Sequence, residues 1–256
     1  MPDTTYVYIL EPILNDPRFD GCVFAEEARS VLGHDNPSRD FDTKDHEMLS
    51  WKPMLLSTNW KPQPVKGPAN AFNDYPCLEL SNPTFSKRAV QALGTMLSGN
   101  GELLPLKTKT GEYFVFNCTT KLAALNSKES ILSRTADDRT ALWVKYFSFI
   151  KSKLEGATIF RVPELPNFYL VTDRFKHAVE SANLNGFNFV PVWPLPRGVD
   201  WHMEESKRRK VKGRVKISGQ ALILRFRLAK QKPSIAEKKL ALSISESDEI
   251  KGVRPL

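Results

Sequence analysis

Four histidines are the first residues to ask for chemistry: His34, His46, His177 and His202. None lies three or four residues from another, so no helix can present two of them to one metal ion. His46 sits in Asp42-x-x-Asp45-His46-Glu47, which has metal-ligating residue types but equally the composition of an acidic loop. His177 falls one residue off the apolar stripe of a helix and reads as a partly exposed helical residue. Cys22, Cys77 and Cys118 form no C-x-x-C pair, and an odd, sparse count speaks against both a disulfide framework and a tetrahedral zinc site. They read as small buried thiols in a reducing compartment. No G-x-S-x-G nucleophile elbow occurs. Gly99-Asn100-Gly101 lacks the later Gly-Lys-Ser/Thr of a phosphate loop and reads as a helix cap. Glu26-Glu27 and Glu204-Glu205 are adjacent carboxylates, which project from different faces of a helix and make no acid–base couple on their own. No catalytic, cofactor-binding or metal site is expected, and the reading is of a protein that is not an enzyme.

Charge is the stronger signal. The 256 residues carry a net +8, yet residues 1–50 hold 11 acidic and 4 basic residues while residues 201–256 hold 15 basic and 6 acidic. The densest basic block is Lys207 to Lys216. The residues expected to meet a partner are therefore Asp40, Asp42, Asp45 and Glu47 at one end and Lys207, Arg208, Arg209 and Lys210 at the other. The acidic end could mimic phosphates toward a basic partner, the basic end could meet an acidic one, and the two ends could pair with each other. The basic block could also grip nucleic acid, although aromatic residues for base stacking are nearly absent from it. Residues 1–14 hold Asp3 and Glu11 and no basic residue, unlike a secretion signal, and the apolar runs fall short of a membrane span. The expected location is the cytoplasm.

These ends flank a stretch that must supply the scaffold. The division expected is an acidic segment 1–50, an α/β core 51–200 and a basic segment 201–256 of strands followed by a frayed end. Residues 5–10 read as a strand. Five prolines between residues 51 and 76 predict an ordered loop pinned by Trp51 and Trp60. Phe85, Ala89, Val90, Leu93, Met96 and Leu97 make one helical stripe. Residues 102–106 and 112–117 predict a hairpin around Lys109-Thr110-Gly111. Leu142, Trp143, Tyr146, Phe147, Ile150 and Leu154 predict a second helix over 137–154. Strands are expected at 158–162 and 168–171, a helix after Thr172, and a strand at 187–193. Residues 210–218 and 220–228 alternate as hairpin strands do.

Two stretches echo each other. Leu80-Ser81, Phe85, Ala89-Val90, Gly99 and Leu104-Pro105-Leu106 are answered by Val171-Thr172, Phe175, Ala178-Val179, Gly186 and Val190-Pro191-Val192. Either a duplication or two units obeying the same rules independently explains this. The fold class expected is α+β, a mixed sheet with helices packed on it, two similar strand-helix-strand units and irregular N- and C-terminal segments.

The same residues carry a resemblance. Phe85-Ser86-Lys87-Arg88-Ala89-Val90, Glu102 to Leu106, Gly111 to Asn117, Leu122 to Asn126, Ile159-Phe160-Arg161, Tyr169 to Lys176 and Leu184 to Phe189 follow one another in an order that resembles a bacterial family of immunity proteins of polymorphic toxin systems, over roughly residues 50–195. Asn126 stands where an aspartate is commoner in that pattern. The resemblance implies a cytoplasmic protein that binds a cognate toxin domain and neutralises it, with no catalytic residues and no cofactor. The alternative function is a nucleic-acid-binding accessory protein using Lys207–Lys216.

Overall fold

Residues Val7–Pro12 form strand β1, as the β-branched and aromatic run before Pro12 predicts. This computed structural model describes residues 5–14, 16–25, 55–79, 82–134 and 141–211. After β1 come β2 (Val23–Phe24), β3 (Gln63–Lys66), β4 (Thr84–Ser86), helix α1 (Lys87–Leu93), helix α2 (Thr95–Ser98), β5 (Gly101–Lys107) and β6 (Tyr113–Cys118). Then follow β7 (Ile131–Arg134), β8 (Ala141–Tyr146), β9 (Ile159–Val162), β10 (Leu165–Thr172), α3 (Asp173–Ser181), β11 (Phe187–Trp193) and α4 (Trp201–Val211). The fold is α+β.

The strands make a four-stranded sheet ordered β11-β1-β10-β9, a five-stranded sheet ordered β2-β3-β5-β6-β4, and the β7-β8 ribbon. Both larger sheets are buried on two faces. On β1, Val7 and Ile9 enter one core while Leu10 enters another, and on β10 Leu170 and Val171 divide the same way. On β6, Phe116 and Cys118 face the shared middle core, and Tyr113 and Val115 face a third. The layers therefore alternate core, sheet, core, sheet, core, because a strand with apolar residues at consecutive positions must be covered on both sides. The middle core also receives Ala89 and Leu93 of α1, Leu97 of α2, and Phe175 and Val179 of α3.

The echo becomes a topological fact. β4 and β5 both run antiparallel to β6 and flank it. β10 and β11 both run antiparallel to β1 and flank that strand. Each unit is a crossover through a helix that leaves room for one strand between its two ends. The helix caps, helix starts and second strands recur at a constant offset of 86 residues: Ser86 and Thr172, Lys87 and Asp173, Gly101–Lys107 and Phe187–Trp193. The paired phenylalanines Phe85 and Phe175 do not obey this offset. Phe85 belongs to β4, whereas Phe175 lies inside α3.

Local chemistry sets the helix limits. The Ser86 hydroxyl accepts the Ala89 N–H at 3.1 Å and caps α1. Gly94, at φ +43°, ends it and breaks the expected single stripe into α1 and α2. Asp173 opens α3, where a carboxylate suits the helix dipole, and accepts the Tyr6 N–H at 3.1 Å.

Three expectations change. The helix expected over 137–154 is absent: Ala141–Tyr146 is strand β8, paired with β7, and Lys151–Leu154 is a single 3-10 turn. The proline-rich stretch contains β3, which bridges β2 and β5 through two residue pairs on each side. Residues 201–211 form helix α4, so Lys210 and Val211 are helical; residues 212–228 of the two expected hairpin strands lie outside the described residues, as does Trp51. Trp60 does pin its loop, donating its indole N–H to the Pro105 carbonyl at 2.8 Å.

Glu102 fixes the entry to β3. Its carboxylate accepts the N–H groups of Leu56 at 2.8 Å and Ser57 at 3.1 Å and the Asn117 amide at 2.7 Å. Partial burial pushes its pKa up, but the hydrogen bonds from Ser57, Leu56 and Asn117 outweigh that and hold it below the ordinary 4.5. A depressed carboxylate pKa contributes stability above the unfolded value that disappears as pH falls through the folded value. In thermal melts between neutral pH and pH 3, Glu102→Gln is expected to flatten the fall in Tm below about 4.5, with a smaller wild-type advantage at acid than at neutral pH. A wild-type advantage that grows on acidification would contradict this.

Candidate partner-binding surface

Trp201 begins α4 and is buried, with its indole N–H on the Val144 carbonyl at 2.5 Å and its ring 6.2 Å from that of Phe147. Asp200 accepts the His202 N–H at 2.9 Å and caps the helix. The helix is thus anchored at its first turn and turns basic toward its end. Lys207 and Arg208 are exposed, and Lys207 pairs with Glu204 at 2.8 Å. Arg209 and Lys210 follow on the same helix. Asp40, Asp42, Asp45 and Glu47, the acidic half of the expected contact set, lie outside the described residues.

His177 is exposed on α3, as its position off the apolar stripe predicts, while His34 and His46 lie outside the described residues. Among the described residues no group of three or more His, Cys, Asp or Glu is placed to hold a metal ion. The three thiols are buried. Burial pushes Cys22 up to about 12, with Cys77 adding to it, and pushes Cys118 up to about 11 against the opposing pull of Arg161. At neutral pH both stay protonated, the form that does not attack.

The densest polar cluster is structural. Asp74, 1% exposed, accepts the Ser86 hydroxyl at 2.6 Å, the Asn185 N–H at 2.8 Å and both Nε and Nη2 of Arg88. Its own N–H donates to the Asn185 carbonyl at 3.0 Å. Beside it, buried Asn73 accepts the Tyr75 N–H at 3.0 Å and donates to the Asp20 carbonyl at 2.8 Å. This knot ties the loop before β4, the start of α1 and the turn before β11.

Sequence reasoning passed over two aromatic residues, half-buried Phe19 and exposed Phe72, because both lie in turn-rich stretches that carry no periodic pattern. Their only signal is an aromatic residue among Asp, Asn and Gly.

A strand-helix-strand unit closes the four-stranded sheet, and one sequence family matches the stretch that contains it. Residues 105–193 match the model of the Immunity protein family (Imm11). The Imm11 match starts within β5, ends on the last residue of β11, and takes in β6 to β10 and α3 between them. It is narrower than the resemblance over 50–195, and leaves out β1 to β4, α1, α2 and the basic helix α4. A search of curated proteins found none that matches the chain. This match supports an immunity role in general and, with it, a toxin as partner. No helix among the described residues is long and apolar enough to cross a membrane.

Proposed function

We propose that this chain is a bacterial immunity protein that binds the toxin domain encoded beside it and neutralises it by direct occlusion in the cytoplasm. The observation that carries this reading is the Imm11 match over residues 105–193, which coincides with a continuous run of the scaffold from β5 to β11. Occlusion needs a rigid complementary surface and electrostatic steering rather than an active site. The layered cores supply the rigidity. Cys22 and Cys118, buried and protonated at neutral pH, fit a role that is not catalytic.

Co-expression with the toxin encoded by the neighbouring gene tests it. Growth should be rescued, and the two proteins should elute as one complex from a sizing column. Toxicity unchanged by co-expression and no complex would remove the reading. The exposed Lys207 and Arg208 on α4 favour one second reading, an accessory protein that binds nucleic acid through this helix. That reading requires affinity that falls steeply with salt.

A further inference from the structure

We propose that the aromatic–cationic face built from residues 16–20, 66–73 and 107–112 is the surface on which an acidic patch of the toxin docks; this rests on the immunity reading above. Three segments far apart in sequence are fastened together there. Asp20 accepts the Ala69 N–H at 2.6 Å, and its carbonyl accepts the Asn73 amide at 2.8 Å. Thr110 donates to the Pro68 carbonyl at 2.7 Å, and the Tyr113 hydroxyl donates to the Asn73 carbonyl at 3.2 Å.

On this base stand two rings. Phe72 is 48% exposed, unusual for a phenylalanine in a fold with three well-filled cores, and its ring centroid lies 5.7 Å from that of Phe19. The Phe72 N–H is held by Asn70 at 2.9 Å, so the loop tip is set before any partner arrives. The Arg18 guanidinium carbon lies 5.4 Å from the Phe19 centroid, and Arg18 is locked on Asp16 by Nε at 3.0 Å and Nη2 at 2.7 Å. A preorganised phenylalanine beside an arginine is the kind of residue set that dominates binding energy at protein interfaces.

The charge of this face selects the partner. Lys66, Lys107 and Lys109 are exposed on two of the three fastened segments. The carboxylates on the same segments do not balance them: Asp16 is paired with Arg18 and Glu112 with Lys87 at 2.6 Å, which leaves Asp20, still charged while it accepts the Ala69 N–H, against three lysines. The excess is positive, so the complementary surface is acidic. A protein fits better than a nucleic acid. Base stacking needs an open ring face, and Phe19 carries Arg18 and Phe72 against it. Arg18 already has Nε and Nη2 on Asp16, so a phosphate would have to compete with that carboxylate for its fork.

The test measures binding of the purified chain to the toxin domain encoded by the neighbouring gene. Phe72→Ala is expected to weaken the Kd by about thirty-fold. The triple variant Lys66→Glu, Lys107→Glu, Lys109→Glu is expected to slow association by about tenfold at low salt, with the difference shrinking at high salt. Both changes are at exposed residues, and unchanged circular dichroism and Tm confirm that each variant is folded. Variants that bind within about threefold of wild type, with wild type binding tightly, would overturn the docking face and leave the immunity reading standing. Wild type that does not bind removes both. A fluorescent single-stranded oligonucleotide serves as the second probe: its loss by Phe72→Ala with toxin binding intact assigns the face to nucleic acid and overturns the proposal. Tighter toxin binding by Phe72→Ala than by wild type assigns the face to a competing segment of this chain and overturns it as well.

Discussion

Gly186→Ala is expected to lower the stability of the chain by about 4 kcal/mol, seen as a shift of the urea midpoint with little change in slope. Two independent faults add. The residue has φ +96°, a conformation that a residue with a Cβ adopts only under strain. The added Cβ would also fall on the Asn73 side-chain oxygen, well inside van der Waals contact, with the Tyr75 nitrogen at 3.3 Å. Asn73 cannot step aside freely, since it is fully buried and holds Tyr75 and Asp20. The two faults separate in a double-mutant cycle. Shortening Asn73 to alanine in the Gly186→Ala background removes the collision and leaves the strain, so the pair should be less destabilised than the sum of the single changes. Strict additivity would show that the collision is relieved some other way.

Asp74→Ala is the second large effect, about 3 kcal/mol. The change removes the acceptor for the buried Ser86 hydroxyl and the Asn185 N–H, each left without its partner in a place that water reaches poorly. The Arg88 side chain is 53% exposed and re-solvates, so the ion pair itself contributes the smaller share. Ser86 also caps α1, which carries the loss into that helix. Denaturant unfolding of Asp74→Ala, Ser86→Ala and the double variant checks this: Ser86→Ala alone should cost about 1 kcal/mol, and the double should fall short of the sum because both changes break the same bond. An Asp74→Ala variant within 1 kcal/mol of wild type would show that the knot is dispensable.

The elements legible in the sequence are those whose partners lie close by. The β5–β6 hairpin follows from two alternating runs around a turn, and α3 from a cap and a four-residue stripe. The strand β8 reads as a helix because Leu142, Tyr146, Phe147, Ile150 and Leu154 fit helical spacing as well as they fit a strand followed by a turn. Length and pairing decide between these, and pairing with Ile131–Arg134 is invisible in composition. β3 hid behind its prolines, which survive because only two of its residues pair on each side. The charged ends of the expected contact set are the least legible part, since charge alone fixes no position. The knot was beyond reach of any local pattern: Asp74 and Asn185 are 111 residues apart. The docking face shares that difficulty, since Arg18, Phe72 and Lys107 acquire meaning only once three loops are fastened together.

The place of β1 carries a consequence for biogenesis. It lies between β10 and β11, and its neighbour Tyr6 reaches Asp173 across 167 residues. While the ribosome is still making residues 13 to 164, Val7, Ile9 and Leu10 have no sheet to enter, though all three are buried once it forms. The five-stranded sheet can assemble first; the four-stranded sheet must wait for the second crossover to leave the exit tunnel. A nascent chain of this design therefore carries β1 unpaired until residues 165–193 have been made, and the segment that matches the Imm11 model completes the sheet and ends that exposure.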